Sequence, residues 1–471
     1  MAWPGEAGSY GGSARAPDCS GRGSGRDGGY GGWLTRATVT APSVGRVGAR
    51  AGIVVTGTEV LTGRVTDRNG PWLAEELRRL GVDVGSVVVV GDRPEDLRAA
   101  LAFLAASTDL VITSGGLGPT ADDLTAEVVG DFCGRPSSVD EELAARIGAV
   151  VARLMSRRGW RVDPAATEAG TRKQARVPAG AVVLEPVGTA PGLVVPPASG
   201  DGPPVVVLPG PPSELQGMWP AALEAAPVRV VLERAQELRQ DTLRLWGTPE
   251  SELAATLRRV DDQLGGLEIT TCLRDGELEI VTRYAPGAAG AYARLVDAVR
   301  GDYAATLFSE GPEVDALVAG ALADRGLTVA TAESCTGGQL VARLIDRPGA
   351  SAWVPGGVVS YANSAKEQLL GVRADTLATV GAVSPEVARQ LADGARDRFG
   401  ADVGIGVTGI AGPGGGSPDK PVGTVHLCAV GPDGAVTRSL VVPGDRAAFR
   451  KRTVTVGMHL LRALLLGGPP A

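Results

Sequence analysis

Histidine, cysteine and long apolar runs are scarce in this chain of 471 residues. Its two histidines, His426 and His459, lie far from any cysteine cluster, which nearly excludes a histidine-based zinc site and the common Ser-His-Asp triad. The five cysteines are scattered and odd in number, a pattern typical of reduced thiols, so we expect a cytoplasmic protein. Since no apolar run reaches the ~18 residues of a membrane span and no signal-peptide pattern is present, we expect no membrane partner.

Aromatic residues make up only 4% of the chain against 44% apolar residues, which predicts cores built from Ala, Val and Leu. The length exceeds that of one ordinary domain, and we expect about two or three. A net charge of −7 argues against a broad nucleic-acid footprint, so we expect no nucleic-acid partner. Residues 1–48 are rich in Gly, Ser and Arg, which predicts a disordered arm or a start codon assigned too early. A nucleic-acid-binding arm is the less favoured interpretation.

Strands alternate with helices over residues 50–226. Apolar periodicity predicts, in order, a strand over 51–57, a helix over 69–80, a strand over 84–90, a helix over 94–106 and a strand over 110–113. This alternation is typical of parallel βαβ units, so the sequence predicts an α/β domain.

A glycine-rich loop, SGGLGPTADD over residues 114–123, follows the third predicted strand. Backbone N–H groups and a helix dipole at such a loop form a ready anion site. The loop matches neither the Rossmann nor the Walker A pattern, and a tight turn is an equally good interpretation.

Residues 228–308 are predicted to form a small α+β middle domain with no visible chemistry. It comprises strands near 228–233 and 241–246, a helix near 249–259, a hairpin of strands 267–273 and 277–284, and a helix over 288–300. Asp275-Gly276 is the predicted hairpin turn.

Residues 312–466 are predicted to form a second α/β domain. It comprises an opening helix, a strand before Ser334, a long helix after Ser384-Pro385, strands over 403–407 and 423–430, and a helix over 446–465. The fold class is therefore α/β, with two α/β domains joined by the middle domain.

Only four of the 46 basic residues are lysines, and one of them, Lys366, follows an apolar run. A buried lysine can lose its proton and act as a base, which arginine cannot do. An amine beside a hydroxyl can activate a nucleophile, and Ser334 follows another apolar run. An ordinary surface cation at position 366 and a helix-capping serine at 334 are the plain alternatives. Cys335 is the rival nucleophile, disfavoured because no histidine lies nearby in sequence.

Three loops of the third domain are expected to meet at the carboxyl ends of its strands, where α/β domains place their sites. The first carries Ser334 and, at a helix start, backbone N–H groups that could stabilise an oxyanion, those of Thr336, Gly337 and Gly338. The second carries Tyr361 and Lys366. The third is the glycine-rich loop 408–416, followed by Lys420. These residues fit a Ser–Lys amide hydrolase that acts on a nucleotide-like substrate.

The motifs that follow one another from about residue 50 to 466 resemble those of the CinA (competence/damage-inducible protein A) family. They are GTE at 57–59, SGGLGPTADDLT at 114–125, KQA at 173–175, VGTAPG at 187–192, LPGPPSE at 208–214, TAESCTGG at 331–338, YANSAK at 361–366, and segments 407–412 and 420–425. The resemblance implies that the C-terminal domain is a nicotinamide-nucleotide amidohydrolase, which converts nicotinamide mononucleotide to nicotinic acid mononucleotide and ammonia without a cofactor.

That resemblance also assigns roles in the C-terminal domain. Ser334 would be the nucleophile and Lys366 its base, with Tyr361 in support. Substrate-binding groups would come from Thr336, Gly337, Gly338, Thr408, Gly409 and Lys420. A homodimer is a further expectation.

For the N-terminal domain, the resemblance implies a molybdopterin-binding fold with metal-dependent ADP-ribose pyrophosphatase activity. Phosphates would be held by Gly115, Gly116, Gly118 and Thr120, and the divalent metal by Glu59, Asp92, Asp122 and Asp123. Residues 67–69 read Asp-Arg-Asn where the family commonly has Asn-Thr-Asn, which puts the ligand in doubt. Two alternatives remain: pyrophosphatase activity as the main function, or a non-enzymatic competence-related binding protein.

Overall fold

The computed structural model describes residues 48–158 and 163–467. The predicted arm over residues 1–48 lies outside this range except for its last residue. Within these ranges, no helix combines the length and apolarity that crossing a membrane would require.

A six-stranded sheet organises the N-terminal region. The elements are β1 (Arg50–Thr56), α1 (Thr58–Leu61), α2 (Asn69–Arg79), β2 (Asp83–Val90), α3 (Pro94–Ala105), β3 (Leu110–Ser114), α4 (Thr125–Phe132), β4 (Ser137–Val139), α5 (Glu141–Arg158), α6 (Pro164–Gln174), β5 (Arg176–Pro178), β6 (Val182–Leu184), β7 (Gly192–Val195), β8 (Val205–Leu208), α7 (Pro212–Glu224) and α8 (Ala226–Leu232). The predicted strands and helices between residues 51 and 113 are confirmed to within two residues.

The strand order in this sheet is β2-β1-β3-β8-β7-β6. The first four strands are parallel, as the alternation predicts, whereas β7 and β6 are antiparallel additions. Helices cover both faces, because Ile53 packs with α2 and α7 while the next residue, Val54, packs with α3 and α4. The carboxyl ends of β1, β3 and β8 therefore share one edge of the sheet.

A four-stranded antiparallel sheet forms the middle region, in the order β10-β11-β9-β12. Its elements are β9 (Arg239–Trp246), α9 (Glu250–Arg259), β10 (Leu267–Arg274), β11 (Glu277–Tyr284), α10 (Ala289–Tyr303) and β12 (Leu307–Ser309). The hairpin prediction is confirmed, and Asp275 and Gly276 have φ angles of 54° and 93°, as its turn requires. The predicted strand near 228–233 is wrong, because those residues belong to α8.

A five-stranded sheet organises the C-terminal region, in the order β14-β13-β15-β16-β17. The elements are α11 (Val314–Asp324), β13 (Val329–Glu333), α12 (Gln339–Ile345), β14 (Gly356–Val359), α13 (Asn363–Leu370), α14 (Ala374–Val380), α15 (Pro385–Phe399), β15 (Val403–Gly409), β16 (Thr424–Gly431), β17 (Gly434–Val441) and α16 (Arg446–Leu466). Strands β14, β13 and β15 are parallel, and β16 and β17 are antiparallel.

Helix α15 packs unusually close to β15, as a core poor in aromatic residues allows. A Cβ at Gly406 would overlap the carbonyl oxygen of Ala388, and one at Gly404 would overlap that of Ala392. Backbone atoms at this contact cannot move aside as a side chain can. This close packing fixes the position of β15 relative to α15, and Thr408 lies near the end of β15.

Gly406→Ala is expected to lower the free energy of unfolding by about 1–3 kcal/mol, because the added methyl group overpacks the contact with α15. The matched control is Gly320→Ala in α11, where a Cβ meets nothing within 4 Å. That control should leave stability unchanged or raise it by up to about 1 kcal/mol. Urea unfolding of both variants measures the difference, and equal stabilities would contradict the packing argument.

Candidate active site

Three parallel strands of the C-terminal sheet end side by side. Glu333, the last residue of β13, is in register with Val359 at the end of β14 and with Val407 near the end of β15. The residues that follow these strands therefore meet at one edge of the sheet. Ser334 extends the contact, because its N–H donates to the carbonyl of Val407 at 3.0 Å.

Lys366 lies on α13 and its side chain is 1% exposed. Its Nζ is 3.3 Å from Ser334 Oγ, 2.7 Å from the carbonyl oxygen of Ser360 and 3.2 Å from that of Tyr361. No carboxylate within the described ranges forms an ion pair with it. Burial accordingly lowers the pKa of Lys366, and the nearby Cys335 offsets this only in part.

This geometry suits a neutral lysine. A neutral amine has two N–H groups and one lone pair, and two carbonyl oxygens stand ready to accept the N–H groups. The lone pair is then left for the hydroxyl of Ser334, which can donate its proton to Nζ. The structure therefore brings together the predicted nucleophile and the predicted base, and the surface-cation interpretation of Lys366 is wrong.

The rival nucleophile, Cys335, is unsuited to attack. Its side chain is buried, and burial raises the pKa of its thiol to about 12. A thiol with such a pKa stays protonated at neutral pH, whereas the reactive form is the thiolate. The two histidines do not compensate, because His426 contacts Ser439 and His459 contacts Glu277.

The backbone donors around Ser334 differ from those expected. The N–H of Gly337 donates to Ser334 O at 3.2 Å, and the N–H of Gly338 donates to the Glu333 carboxylate at 3.0 Å, so both are occupied. Within the described ranges, the N–H groups of Cys335 and Thr336 donate to no oxygen atom, although both lie near enough to the Cys335 sulfur to lower the pKa of its thiol. They are the donors left for an oxyanion beside Ser334. The side chain of Thr336 is itself fully buried.

The side chain and the backbone of Tyr361 have different partners. Its side chain is 64% exposed, and its hydroxyl accepts a hydrogen bond from Arg446 Nη2 at 3.1 Å. The part of Tyr361 that contacts Lys366 is its backbone carbonyl.

Two arginines of α16 border the site and escaped the sequence analysis. Arg446 also donates from Nη1 to Gly412 O at 2.9 Å, in the glycine-rich loop. Arg450 donates from Nη2 to Thr336 O at 2.7 Å. Nothing in the sequence separates these two from the many other arginines, because only the fold brings the start of α16 to the strand ends.

The predicted substrate-binding residues Thr408, Gly409 and Lys420 form hydrogen bonds with other residues of the chain. Thr408 Oγ1 donates to Ala382 O at 2.7 Å, and Lys420 Nζ donates to the carbonyls of Val380 and Val383, both at 2.7 Å. Gly409 pairs with β16 as the last residue of β15. Lys420 was predicted to bind substrate, and its contacts fasten the segment before α15.

The N-terminal region has a cleft of about 310 Å³ at the carboxyl ends of β1, β3 and β8. All the predicted phosphate and metal residues except Thr120 line this cleft, namely Gly115, Gly116, Gly118, Glu59, Asp92, Asp122 and Asp123. Glu214 lines it as well. Thr120 donates instead to Asp123 from both its N–H and its hydroxyl.

The carboxylates of this cleft do not fit a metal ion. Asp92 accepts from the N–H and hydroxyl of Thr58, at 2.9 and 2.8 Å, and Asp123 is engaged by Thr120. Within the described residues, no three acidic, histidine or cysteine side chains converge as metal ligands. The predicted metal set is therefore brought to one cleft without forming a coordination site.

The departure at residues 67–69 has a structural explanation. Asp67 Oδ1 accepts from the N–H groups of Asn69 and Gly70, both at 2.9 Å, and so caps the start of α2. An asparagine there could accept the same hydrogen bonds, so the change to Asp67 conserves the fold. Arg68 is exposed and adds a cation to the lining of a second cleft of about 460 Å³, which shares Glu59 with the first.

Comparison with known proteins gives matches along most of the chain. Residues 52–227 match the family model "probable molybdopterin binding domain", and residues 312–465 match "CinA C-terminal domain". A CinA-like protein of Mycolicibacterium gilvum (strain PYR-GCK) is 58% identical over 426 residues, which cover 89% of this chain and 99% of that protein. A CinA-like protein of Mycobacterium tuberculosis (strain ATCC 25177 / H37Ra) is 52% identical over 432 residues, 90% of this chain and 99% of that one.

The chain also resembles solved structures over part of its length. The crystal structure of the competence/damage inducible protein CihA from Agrobacterium tumefaciens is 42% identical and covers 33% of this chain and 99% of that one, with a TM-score of 0.31.

Proposed function

Since the chain belongs to the CinA family, we propose that its C-terminal domain is a nicotinamide-nucleotide amidohydrolase, which converts nicotinamide mononucleotide and water to nicotinic acid mononucleotide and ammonia. The observation that carries the proposal is the buried Lys366 amine 3.3 Å from the hydroxyl of Ser334. The substrate class is proposed from the motif resemblance described above, and the geometry supports nucleophilic attack on a carboxamide.

In the first half of the reaction, the Ser334 hydroxyl gives its proton to Lys366 Nζ while its oxygen attacks the carboxamide carbon. The carbonyl oxygen becomes an oxyanion that accepts from the N–H groups of Cys335 and Thr336. Lys366 then passes the proton to the amide nitrogen, the C–N bond breaks and ammonia leaves. An ester of Ser334 with the nicotinoyl group remains.

In the second half, Lys366 takes a proton from water, whose oxygen attacks the ester. The tetrahedral intermediate collapses, Ser334 recovers its proton from Lys366, and the carboxylic acid product departs. The same base thus serves both steps. Arg446 and Arg450, at the rim of the site, are the cations available for the phosphate of the nucleotide.

The rate should depend on pH through Lys366. The amine acts as a base only when it is neutral, so kcat/KM should rise as pH rises through the pKa of Lys366. Because burial lowers that pKa from the ordinary 10.5, the rise should be centred below the normal lysine range. Ammonia release between about pH 6 and pH 10 tests this. A rate that falls over this range would contradict a lysine base.

A second candidate function, binding and hydrolysis of an ADP-ribose-like pyrophosphate, is supported by the glycine-lined cleft of the N-terminal region. Its carboxylates do not converge on a metal, so we derive no metal-dependent step from them. Release of AMP from ADP-ribose with added Mg²⁺ or Mn²⁺ would support hydrolysis. Saturable binding without release would leave the cleft a nucleotide-binding site.

A further inference from the structure

The side chain directly before the nucleophile has no role in the scheme above. Glu333 is 0% exposed, yet it carries a carboxylate, and no cation within the described ranges forms an ion pair with it. We propose that Glu333 is the positioning residue of the amidase site, which anchors residues 334–338 so that the N–H groups of Cys335 and Thr336 face the substrate. The inference rests on the proposed function for its substrate but not for its geometry.

The carboxylate of Glu333 binds the loop that follows it. Oε2 accepts from the N–H groups of Gly338 and Leu340, both at 3.0 Å, and Oε1 accepts from that of Val341 at 2.8 Å. These donors lie at the start of α12, where N–H groups have no partner within the helix. One side chain thus ties the end of β13 to the start of α12 and closes the intervening loop.

A carboxylate is a costly choice for this position. Burying a charge without a counter-ion is unfavourable, and a serine or asparagine can cap a helix without it. The single hydroxyl or amide oxygen of such a cap would not accept from all three N–H groups. The carboxylate can do so because it has two acceptor oxygens and no proton. Its cost indicates that the loop must be held in one shape.

The contacts of Glu333 determine which backbone N–H groups near Ser334 remain available to a substrate. Glu333 occupies the N–H groups of Gly338, Leu340 and Val341, so the start of α12 offers them neither to substrate nor to water. Gly337 and Gly338 have φ angles of 61° and 90°, a conformation that lets the loop fold back over the carboxylate. Glu333 does not engage the N–H groups of Cys335 and Thr336, which donate to no oxygen atom of the described residues, although both residues are buried.

The backbone of Glu333 also supports the base. Its carbonyl accepts from the N–H of Ser360 at 2.8 Å, and the carbonyl of Ser360 in turn accepts from Lys366 Nζ at 2.7 Å. Glu333 therefore contacts both the loop that follows Ser334 and the residue that binds the amine of Lys366. A substitution that changes only the side chain of Glu333 should therefore displace the N–H groups of Cys335 and Thr336 more than the amine of Lys366.

Glu333→Gln tests the proposal, because the amide keeps the size but replaces one acceptor oxygen with a donor. We expect kcat for ammonia release from nicotinamide mononucleotide to fall about 10–100-fold while KM stays within about twofold. The pH midpoint should not move, because Lys366 keeps its burial. Labelling of Ser334 by a fluorophosphonate, which forms a P–O bond to Oγ and expels fluoride, should slow by a similar factor.

The matched control is Asp402→Asn. Asp402 also accepts backbone and hydroxyl hydrogen bonds, both at 2.9 Å from Thr328, but at the opposite end of β15. This variant should lose stability without losing kcat or labelling rate. If Glu333→Gln does not fold, Glu333→Asp carries the same comparison, because it keeps the charge and withdraws the carboxylate by one methylene.

The two readouts separate the inference from the proposed function. If wild type is labelled at Ser334 but releases no ammonia, and Glu333→Gln is labelled slowly, the inference stands and the substrate assignment fails. The inference is overturned if Glu333→Gln matches wild type in kcat and labelling, if Asp402→Asn slows labelling equally, or if wild type is not labelled.

Discussion

Ser334→Ala is expected to lower ammonia release from nicotinamide mononucleotide by about 10³-fold or more, because the variant has no oxygen to attack the carboxamide. The hydroxyl contributes one 3.3 Å contact with Lys366, so its removal should change the free energy of unfolding by only about 1 kcal/mol. Steady-state ammonia assays and thermal unfolding, run on the same preparations, measure the two effects.

The matched control for this variant is Ser364→Ala, on the exposed side of the helix that carries Lys366. It removes a serine hydroxyl nearby without touching the reacting groups, and it should keep wild-type turnover. Ammonia release by Ser334→Ala at the wild-type rate would show that Ser334 is not the nucleophile.

Lys366→Arg is expected to lower turnover about 10²–10⁴-fold, the usual contribution of a general base. Arginine keeps the positive charge but cannot give up its proton at working pH, so it cannot accept the proton of Ser334. The larger guanidinium also has to fit a fully buried site, which should lower stability. Lys366→Met separates the two effects, because methionine suits an apolar pocket and should fold without restoring turnover.

Lys451→Arg is the matched control for the lysine change. Lys451 is exposed and pairs with Asp275 at 2.9 Å, a contact that arginine can also make. Turnover and stability should both stay at the wild-type level. If Lys366→Arg kept wild-type turnover, the lysine would be a structural cation and not the base.

The fold was predictable where periodicity was unambiguous. Residues 228–233 misled because valines favour strands, yet Val228 and Val231 are buried while Val230 is 62% exposed. Burial three residues apart is the spacing of a helix face. Strand β17 was not predicted; it lies at the edge of its sheet, and none of its residues is fully buried.

The nucleophile and base were predictable because lysine is rare and because both residues follow strand ends. Of the proposed oxyanion donors, Thr336 was predicted and Cys335 was not, since the path of Gly337 and Gly338 depends on the carboxylate of Glu333. The sequence also could not show that Lys420, predicted to bind substrate because it follows a glycine-rich loop, donates to the carbonyls of Val380 and Val383. Contacts between segments distant in sequence decide these points.

Product analysis tests the central claim most directly. Purified wild-type protein is incubated with nicotinamide mononucleotide, and ammonia, nicotinic acid mononucleotide and free nicotinamide are quantified together over time. The account predicts ammonia and nicotinic acid mononucleotide in equal amounts, with no free nicotinamide. Free nicotinamide in place of ammonia would mean cleavage of the glycosidic bond and would contradict the Ser334–Lys366 mechanism, as would the absence of any product.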